Sequence, residues 1–300
     1  MTIDLILTAD WHLREDQPQC RTDDYWEAQE QAVDFVRELA GEYDCPVVIA
    51  GDVFDKWKRT HRLVSWAATH MPPDVYAIPG QHDLPFHRIT EAPRMALNVL
   101  FDTGRVKPLY TVQTSAVGHP TRIYGFPYGV ELGPCTDTGS GPNIAVCHQL
   151  VWHKVKPWPG CEAGTAVKLL KKMKGYDLVV TGDNHIPFTV KLKSGRRLVN
   201  PGSLMRMRAD QADHKPRVYL WCAEDNSIEP VYLPIKKGVV IREHIDQKEK
   251  REARMSSFVT RLSEQWEVGL SFEDNLKKFY RENKTKKQVK SLIAEALENV

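Results

Sequence analysis

The chain has no Cys-x-x-Cys pair: its six cysteines, Cys20, Cys45, Cys135, Cys147, Cys161 and Cys222, stand apart from one another. That scatter argues against a disulfide framework and a structural zinc site. No apolar run approaches the roughly 20 residues that a membrane-spanning helix needs, so no membrane partner is expected. The first residues (MTIDLILTAD) lack a basic stretch followed by a long apolar one. A secretory signal is therefore not expected, and a cytoplasmic location is, in a host cell if the chain is phage-encoded. Charge of one sign is also missing. The formal net charge of +2 is too small to argue for nucleic acid by itself. No internal repeat is present.

What is there is ordinary in amount and unusual in arrangement. With 300 residues, 42% hydrophobic and 27% charged, the chain can bury a full core, as one large domain or a domain with an appendage. Five short polar stretches recur along it: Asp10-Trp11-His12, Gly51-Asp52-Val53-Phe54-Asp55, Gly80-Gln81-His82-Asp83, His148, and Gly182-Asp183-Asn184-His185. Most directly follow an apolar run that reads as a buried strand, at residues 46–50 (PVVIA), 75–78 (VYAI), 144–147 (IAVC) and 178–180 (LVV). A strand ending in Gly and then a carboxylate or imidazole puts that side chain at the carboxyl edge of a sheet, where α/β folds place their chemistry.

Between these edges, Trp26, Val33, Val36, Leu39, Ala40 and Tyr43 recur at helical spacing, which predicts a strand–helix–strand unit with parallel strands. Short helices are predicted near 63–69 and over 165–174, and a surface loop over 129–142, rich in Gly, Pro, Ser and Thr. Residues 188–192, 197–199, 218–222 and 228–233 alternate and read as a second, mostly antiparallel sheet. Beyond about residue 245 the strand signal ends and Lys, Arg and Glu dominate. Phe258, Leu262 and Trp266 fit one helical face, Leu276, Phe279 and Tyr280 another, and Val289, Ile293, Ala296 and Leu297 a third. Ser271-Phe272-Glu273-Asp274 reads as a helix start. The fold class expected is α/β, two sheets facing each other with helices outside, over residues 1–245, with a helical tail domain at 246–300.

Asp, His and an amide gathered at one sheet edge describe a site for two metal ions. Two divalent metals about 4 Å apart can clamp a phosphate and activate its attacker. Asp52 is the natural bridging ligand. Asp10, His12 and His185 would complete one metal, and Gln81, His148 and Asp183 the other. Mixed carboxylate and imidazole ligands suit manganese, iron or zinc, with manganese preferred and magnesium an alternative. His82 then stands free to protonate a leaving oxygen or stabilise developing charge.

The order Asp-x-His, Gly-Asp-x-x-Asp, Gly-Asn-His-Asp, His, Gly-His-x-His resembles the calcineurin-like metallophosphoesterase superfamily. Within it, GDVFD (51–55), PGQHDL (79–84) and NPGSL (200–204) are most similar to the SbcD-type DNA repair nuclease subunits, which work with an SMC-type ATPase, SbcC. The motifs span residues 10 to 206. The resemblance implies the ligand set above, and that Asp55 hydrogen-bonds His82 and sets its tautomer. It also implies a DNA exonuclease with endonuclease capacity, an ATPase partner docked on the C-terminal helices, and a homodimer. Two departures fall on one metal: the amide ligand, usually Asn, is Gln81, and Gly-His-x-His has become Gly182-Asp183-Asn184-His185. A retained site with altered metal preference is expected. The tail is short for the family's substrate-capping domain.

Substrate contacts are expected from Trp152 and Lys154, in a loop that mixes cations with aromatics, and from Arg206 and Arg208 past the Pro-Gly-Ser turn. Two other functions compete. One is a phosphatase or phosphodiesterase for small substrates, against which Lys56-Trp57 stands where protein phosphatases carry Arg-Gly. The other is a non-catalytic DNA-end-binding scaffold for the ATPase.

Overall fold

A computed structural model describes residues 2–109, 113–115, 120–136, 139–243, 250–257, 260 and 269–298. The chain divides into two compact units, Met1–Ile241 and Arg242–Val300.

The first unit is a four-layer stack: helices, sheet, sheet, helix. In the first sheet β1 (Leu5–Thr8), β2 (Val47–Ile49), β3 (Val75–Ala77) and β4 (Lys107–Pro108) run parallel. In the second, β6 (Thr121–Phe126), β7 (Asn143–Cys147), β8 (Leu178–Thr181) and β10 (Arg197–Asn200) run parallel. Antiparallel strands flank both: β5 (Gln113–Ser115) lies on β6, and β9 (Phe188–Lys191) on β10. β11 (Arg217–Cys222) lies on β1, and β12 (Ser227–Tyr232) on β11.

Side chains alternate across each strand, and that period builds the layers. In β1, Leu5 and Leu7 turn toward the second sheet, where they join Ile144, Val146, Leu178 and Val180. Ile6 between them joins the cluster under α1 (Tyr25–Tyr43), α2 (His61–His70) and α3 (Ala96–Asp102). In the second sheet Ala145, Cys147, Val179 and Leu198 face α4 (Ala166–Lys172). Both sheets are therefore covered twice, which is why their central strands read as continuous apolar runs. Each fully buried Leu or Val there stabilises the stack by roughly 1.5–3 kcal/mol. The helix starts are capped as their sequences suggest. The Asp24, Thr60 and Thr165 side chains accept from the backbone N–H groups of Glu27, Leu63 and Lys168.

One expectation is corrected. The four alternating segments after residue 187 do not make a separate antiparallel sheet. They form two hairpins, and each hairpin extends a different sheet. Alternation reports that a strand is half-buried but does not name its partner. The partner is set by the crossing between the hairpins, where Ser203 bridges to Ala9 and hands the chain from the second sheet to the first.

In the second unit Ser271 caps helix Phe272–Glu282, its Oγ accepting from Asp274 N. Leu276 and Phe279 of that helix are buried, with Tyr280 and Ile293 packed on them. A further helix covers Lys287–Glu298. Of the expected apolar stripe, Phe258, Leu262 and Trp266 lie outside the described residues. No helix among the described residues is long and apolar enough to cross a membrane.

Candidate metal centre

Five strand ends converge on one spot. β1 delivers Asp10 and His12, β2 Asp52, β3 Gln81 and His82, β7 His148, and β8 Asp183 and His185. The chain turns sharply at most of these ends. Of nine non-glycine residues with positive φ among the described residues, four are Asp10, His12, Asp52 and Asp183. Such conformations cost free energy and collect at functional sites. The glycines here answer close approach. A Cβ on Gly51 would strike the His148 ring, one on Gly80 the Asp52 carboxylate, and one on Gly182 the Ala50 carbonyl.

Asp52 holds the middle. Its Oδ1 accepts from His82 N at 2.8 Å, while Oδ2 lies 3.3 Å from His148 Nε2 and 3.7 Å from His12 Nε2. His148 Nδ1–H donates to Ala50 O at 2.7 Å, which fixes the tautomer and leaves Nε2 facing Asp52. His12 and His185 bring their Nε2 atoms within 3.1 Å of each other. Among the described residues three groups of ligand atoms each lie within 4.8 Å of one another: Asp10, His12 and His185; Asp10, Asp52 and His148; and His12, Asp55 and His82.

Burial and neighbouring charges shift the titrating groups of the centre. Burial opposes charge on His148, yet Asp52 and Asp10 beside it more than compensate and push it up to about 10. Burial also opposes ionisation of Asp52, and His148, His12 and His82 outweigh it, so its carboxylate stays below the usual range. At Asp10 burial prevails, and the group is raised well above that range. Burial lowers His12, and lowers His185 to about 4, keeping both imidazoles neutral and available as donors. Four buried polar atoms here have no hydrogen-bond partner: His12 Nδ1, Asp52 Oδ2, Gln81 Oε1 and His148 Nε2. Buried polar atoms normally find partners. Carboxylate, imidazole and amide atoms left open together fit divalent metals.

The two departures from the family pattern touch. Gln81 Nε2 donates to Asp183 Oδ1 at 2.6 Å, and Asp183 N reaches the Asp10 carboxylate at 3.1 Å. Asp183, expected as a ligand in its own right, thus has one oxygen on the Gln81 amide, whose Oε1 is left buried without a partner.

His82 is exposed, with its ring edge-on to His12 at 4.8 Å. Its Nδ1 bonds the backbone carbonyl of Asp55 at 2.9 Å, not the carboxylate that was expected. The Asp55 carboxylate, with an oxygen within 4.8 Å of a His82 ring nitrogen, is paired instead with two guanidiniums, Arg59 at 2.8 Å and Arg14 at 3.5 Å. The carbonyl still sets the tautomer and leaves His82 Nε2 open.

Sequence reading missed three residues of this neighbourhood. Asp83 is buried and accepts from Val53 N, Phe54 N and Gly80 N at 2.9–3.1 Å, tying the β2 and β3 loops together. Its only local signal was its place in the Gly80–Asp83 stretch. Arg14 and Arg59 carried no signal beyond Arg59 standing four residues after Asp55.

The expected substrate contacts separate. Arg206 is 4% exposed and donates to the Ala212 and Lys236 carbonyls. It ties the turn to the fold, and the expectation that it meets substrate is corrected, because its buried guanidinium is spent on those backbone carbonyls. Arg208 is exposed and paired with Asp210 at 3.1 Å; its charge helps to lower His185, so it stands within electrostatic reach of the centre. Trp152 is half-buried with its Nε1–H on Ala163 O at 2.8 Å. Lys154 is exposed, in a left-handed turn.

A family model described as calcineurin-like phosphoesterase matches residues 3–187. No curated protein matches the chain. Among solved structures the chain is similar to zinc-complexed Vps29 from Entamoeba histolytica, at 13% identity and a TM-score of 0.32, over 77% of this chain and 99% of that one. It is similar to 5'-nucleotidase from Candida albicans, at 13% identity and 0.47, over 85% of this chain and 58% of that one. A metallophosphoesterase from Sphaerobacter thermophilus gives 11% and 0.37, over 77% and 89%. Likeness this distant says nothing of substrate. The family match spans more than half of the chain, and the chain belongs to the calcineurin-like phosphoesterases.

Proposed function

We propose that this calcineurin-like phosphoesterase is a manganese-dependent DNA nuclease of the SbcD type, an exonuclease with endonuclease capacity that hydrolyses phosphodiester bonds. The observation that carries the hydrolytic part is the placement of Asp52 Oδ2 3.7 Å from His12 Nε2 and 3.3 Å from His148 Nε2, at strand ends that also carry Asp10, His185 and Gln81. Asp10, His12, His185, Asp52, His148 and Gln81 would hold two divalent ions, with Asp183 orienting the amide. Bound there, such ions polarise a phosphoryl oxygen and supply a nucleophile at neutral pH.

The chain's own residues do the rest. Asp55 O holds His82 by Nδ1–H, so the protonated ring can hand its Nε2 proton to the leaving oxygen. Asp83 fixes the two loops that carry Asp52 and Gln81. Arg208 and Lys154, both exposed, supply positive charge for a phosphate backbone.

The nuclease part rests on the similarity of GDVFD, PGQHDL and NPGSL to the SbcD-type subunits. With it come an SMC-type ATPase as partner, docked on the C-terminal unit, and a homodimer. End-labelled linear DNA, single- and double-stranded, incubated with manganese, magnesium or EDTA tests the reading, with His82→Ala alongside. Manganese-dependent cleavage lost in that variant is the expected result. Hydrolysis of bis-p-nitrophenyl phosphate with no attack on DNA would replace the nuclease by a small-substrate phosphodiesterase. DNA binding with neither activity would leave a scaffold.

A further inference from the structure

Four residues past His82 the chain does something costly. Phe86 (φ 53°, ψ 22°) and His87 (φ 56°) are consecutive non-glycine residues in the left-handed region, which L-residues with side chains disfavour. The turn does not bury its phenyl ring. Phe86 is 68% exposed, the second most exposed large apolar side chain among the described residues. Its neighbours are anchored: Leu84 and Pro85 are buried, and the Leu84 carbonyl accepts from His87 N at 3.1 Å. A conformation held this firmly to present one aromatic ring to solvent has no explanation in core packing.

The ring is not alone. Trp57, two residues after Asp55, lies 6.4 Å from it by centroids and tilted by 39°. The Arg94 guanidinium stands 5.9 Å from the Trp57 ring and 6.0 Å from the Phe86 ring, and Glu91 steadies it at 2.8 Å. Exposed cations frame the pair: Lys56 and Lys58 on either side of Trp57, and Arg88 beyond His87. A relay of rings ties the turn to the centre. The His87 ring meets Tyr128 edge-on at 6.3 Å, and Tyr128 meets the ligand candidate His148 at 6.4 Å.

We infer that Phe86, backed by Trp57 and Arg94, is a stacking platform for a nucleobase of the strand whose phosphate enters the metal centre. The inference rests on the nuclease reading and adds to it the part of the substrate that contacts this face. A solvent-facing π-surface beside a guanidinium, with lysines and arginines around it, fits an unpaired base and its phosphates. The exposed charges of Lys56, Lys58, Arg88 and Arg94 favour this over an apolar partner surface. Stacking accepts any base, so the platform gives preference for single-stranded or frayed ends and not for sequence.

The test is a fluorescence titration of a single-stranded oligonucleotide carrying 2-aminopurine near its end. It uses manganese and a His82→Ala background to keep the strand intact, with Phe86→Ala and Phe86→Trp compared in that background. Stacking predicts quenching and tight binding with Phe86 and with Trp. With Ala it predicts loss of quenching and a Kd raised roughly five- to hundredfold. An oligonucleotide abasic at the same position should lose that factor with Phe86 and lose nothing further with Ala. Equal binding and quenching by the Ala variant would overturn the platform, as would binding without quenching when Phe86 is present. The two readings fail separately. If the unsubstituted protein never cleaves DNA but Phe86→Ala still abolishes quenching, the nuclease falls and the platform stands. If it cleaves DNA and Phe86→Ala changes nothing, the platform falls and the nuclease stands.

Discussion

Gln81 and Asp183, 102 positions apart in sequence, meet through a 2.6 Å bond from Nε2 to Oδ1. These are the two positions where the chain leaves its family's motif pattern, and the bond makes them one change. The longer Gln side chain needs a partner to aim its oxygen, and a carboxylate in the β8 loop supplies it. Asp183 shapes the site as much through Gln81 as through any bond of its own.

The pair should therefore behave non-additively. Asp183→Ala frees the amide and should weaken manganese binding about 10- to 100-fold, as loss of an orienting partner does. The double change Gln81→Asn with Asp183→His should bind better than either single change. Calorimetric titration with manganese decides it. Additive losses would mean that the two residues act independently.

His82→Ala should lower kcat about 10²- to 10⁴-fold, the range for a lost general acid. Asp55→Asn should cost less than tenfold, because the backbone carbonyl and not the carboxylate holds Nδ1. Hydrolysis of bis-p-nitrophenyl phosphate by both variants is the measurement. Equal losses would restore the carboxylate to that role.

Asp83→Ala leaves three buried N–H groups, on Val53, Phe54 and Gly80, without their acceptor. Each such loss costs about 1–3 kcal/mol, so a destabilisation of about 3 kcal/mol or more is expected in urea unfolding. A shift under 1 kcal/mol would show that water replaces the carboxylate.

Arg206 and Arg208 should part company. Arg206→Ala should lower the melting temperature and leave the salt dependence of DNA binding alone, since its guanidinium is spent on backbone carbonyls. Arg208→Ala should do the opposite, reducing the salt slope by about one unit. Melting curves and binding isotherms over a salt series separate the two.

His214 supplies a pH dependence whose sign follows from burial. Burial lowers its pKa from the ordinary 6.5, and the neutral ring donates Nε2–H to Ser203 O at 2.9 Å. The unfolded chain then takes the proton first, so the folded state loses stability as pH falls below about 6.5 and keeps it above. His214→Gln should flatten that part of the profile. Thermal unfolding between pH 5 and 8 of both proteins tests it, and parallel curves would remove His214 as the cause.

The pattern at the strand ends of this protein was legible in the amino-acid order alone. A buried apolar run, a Gly and then a carboxylate or imidazole is a local pattern, because strand burial, tight turning and side-chain chemistry are set within a few residues. It was enough to mark Asp10, His12, Asp52, His148 and His185, which the fold brings within a few ångströms, and to announce two sheets covered by helices. Which sheet each late hairpin joins was not local. The choice follows from packing between segments far apart in the chain, and the alternation in the amino-acid order of β9 to β12 is the same for either partner. The same holds for side-chain direction. Nothing near Arg206 says that carbonyls of Ala212 and Lys236 await it, and nothing near Asp55 says that Arg14 will pair with its carboxylate. Only tertiary structure decides such contacts, because each partner must first be placed by the burial of the core.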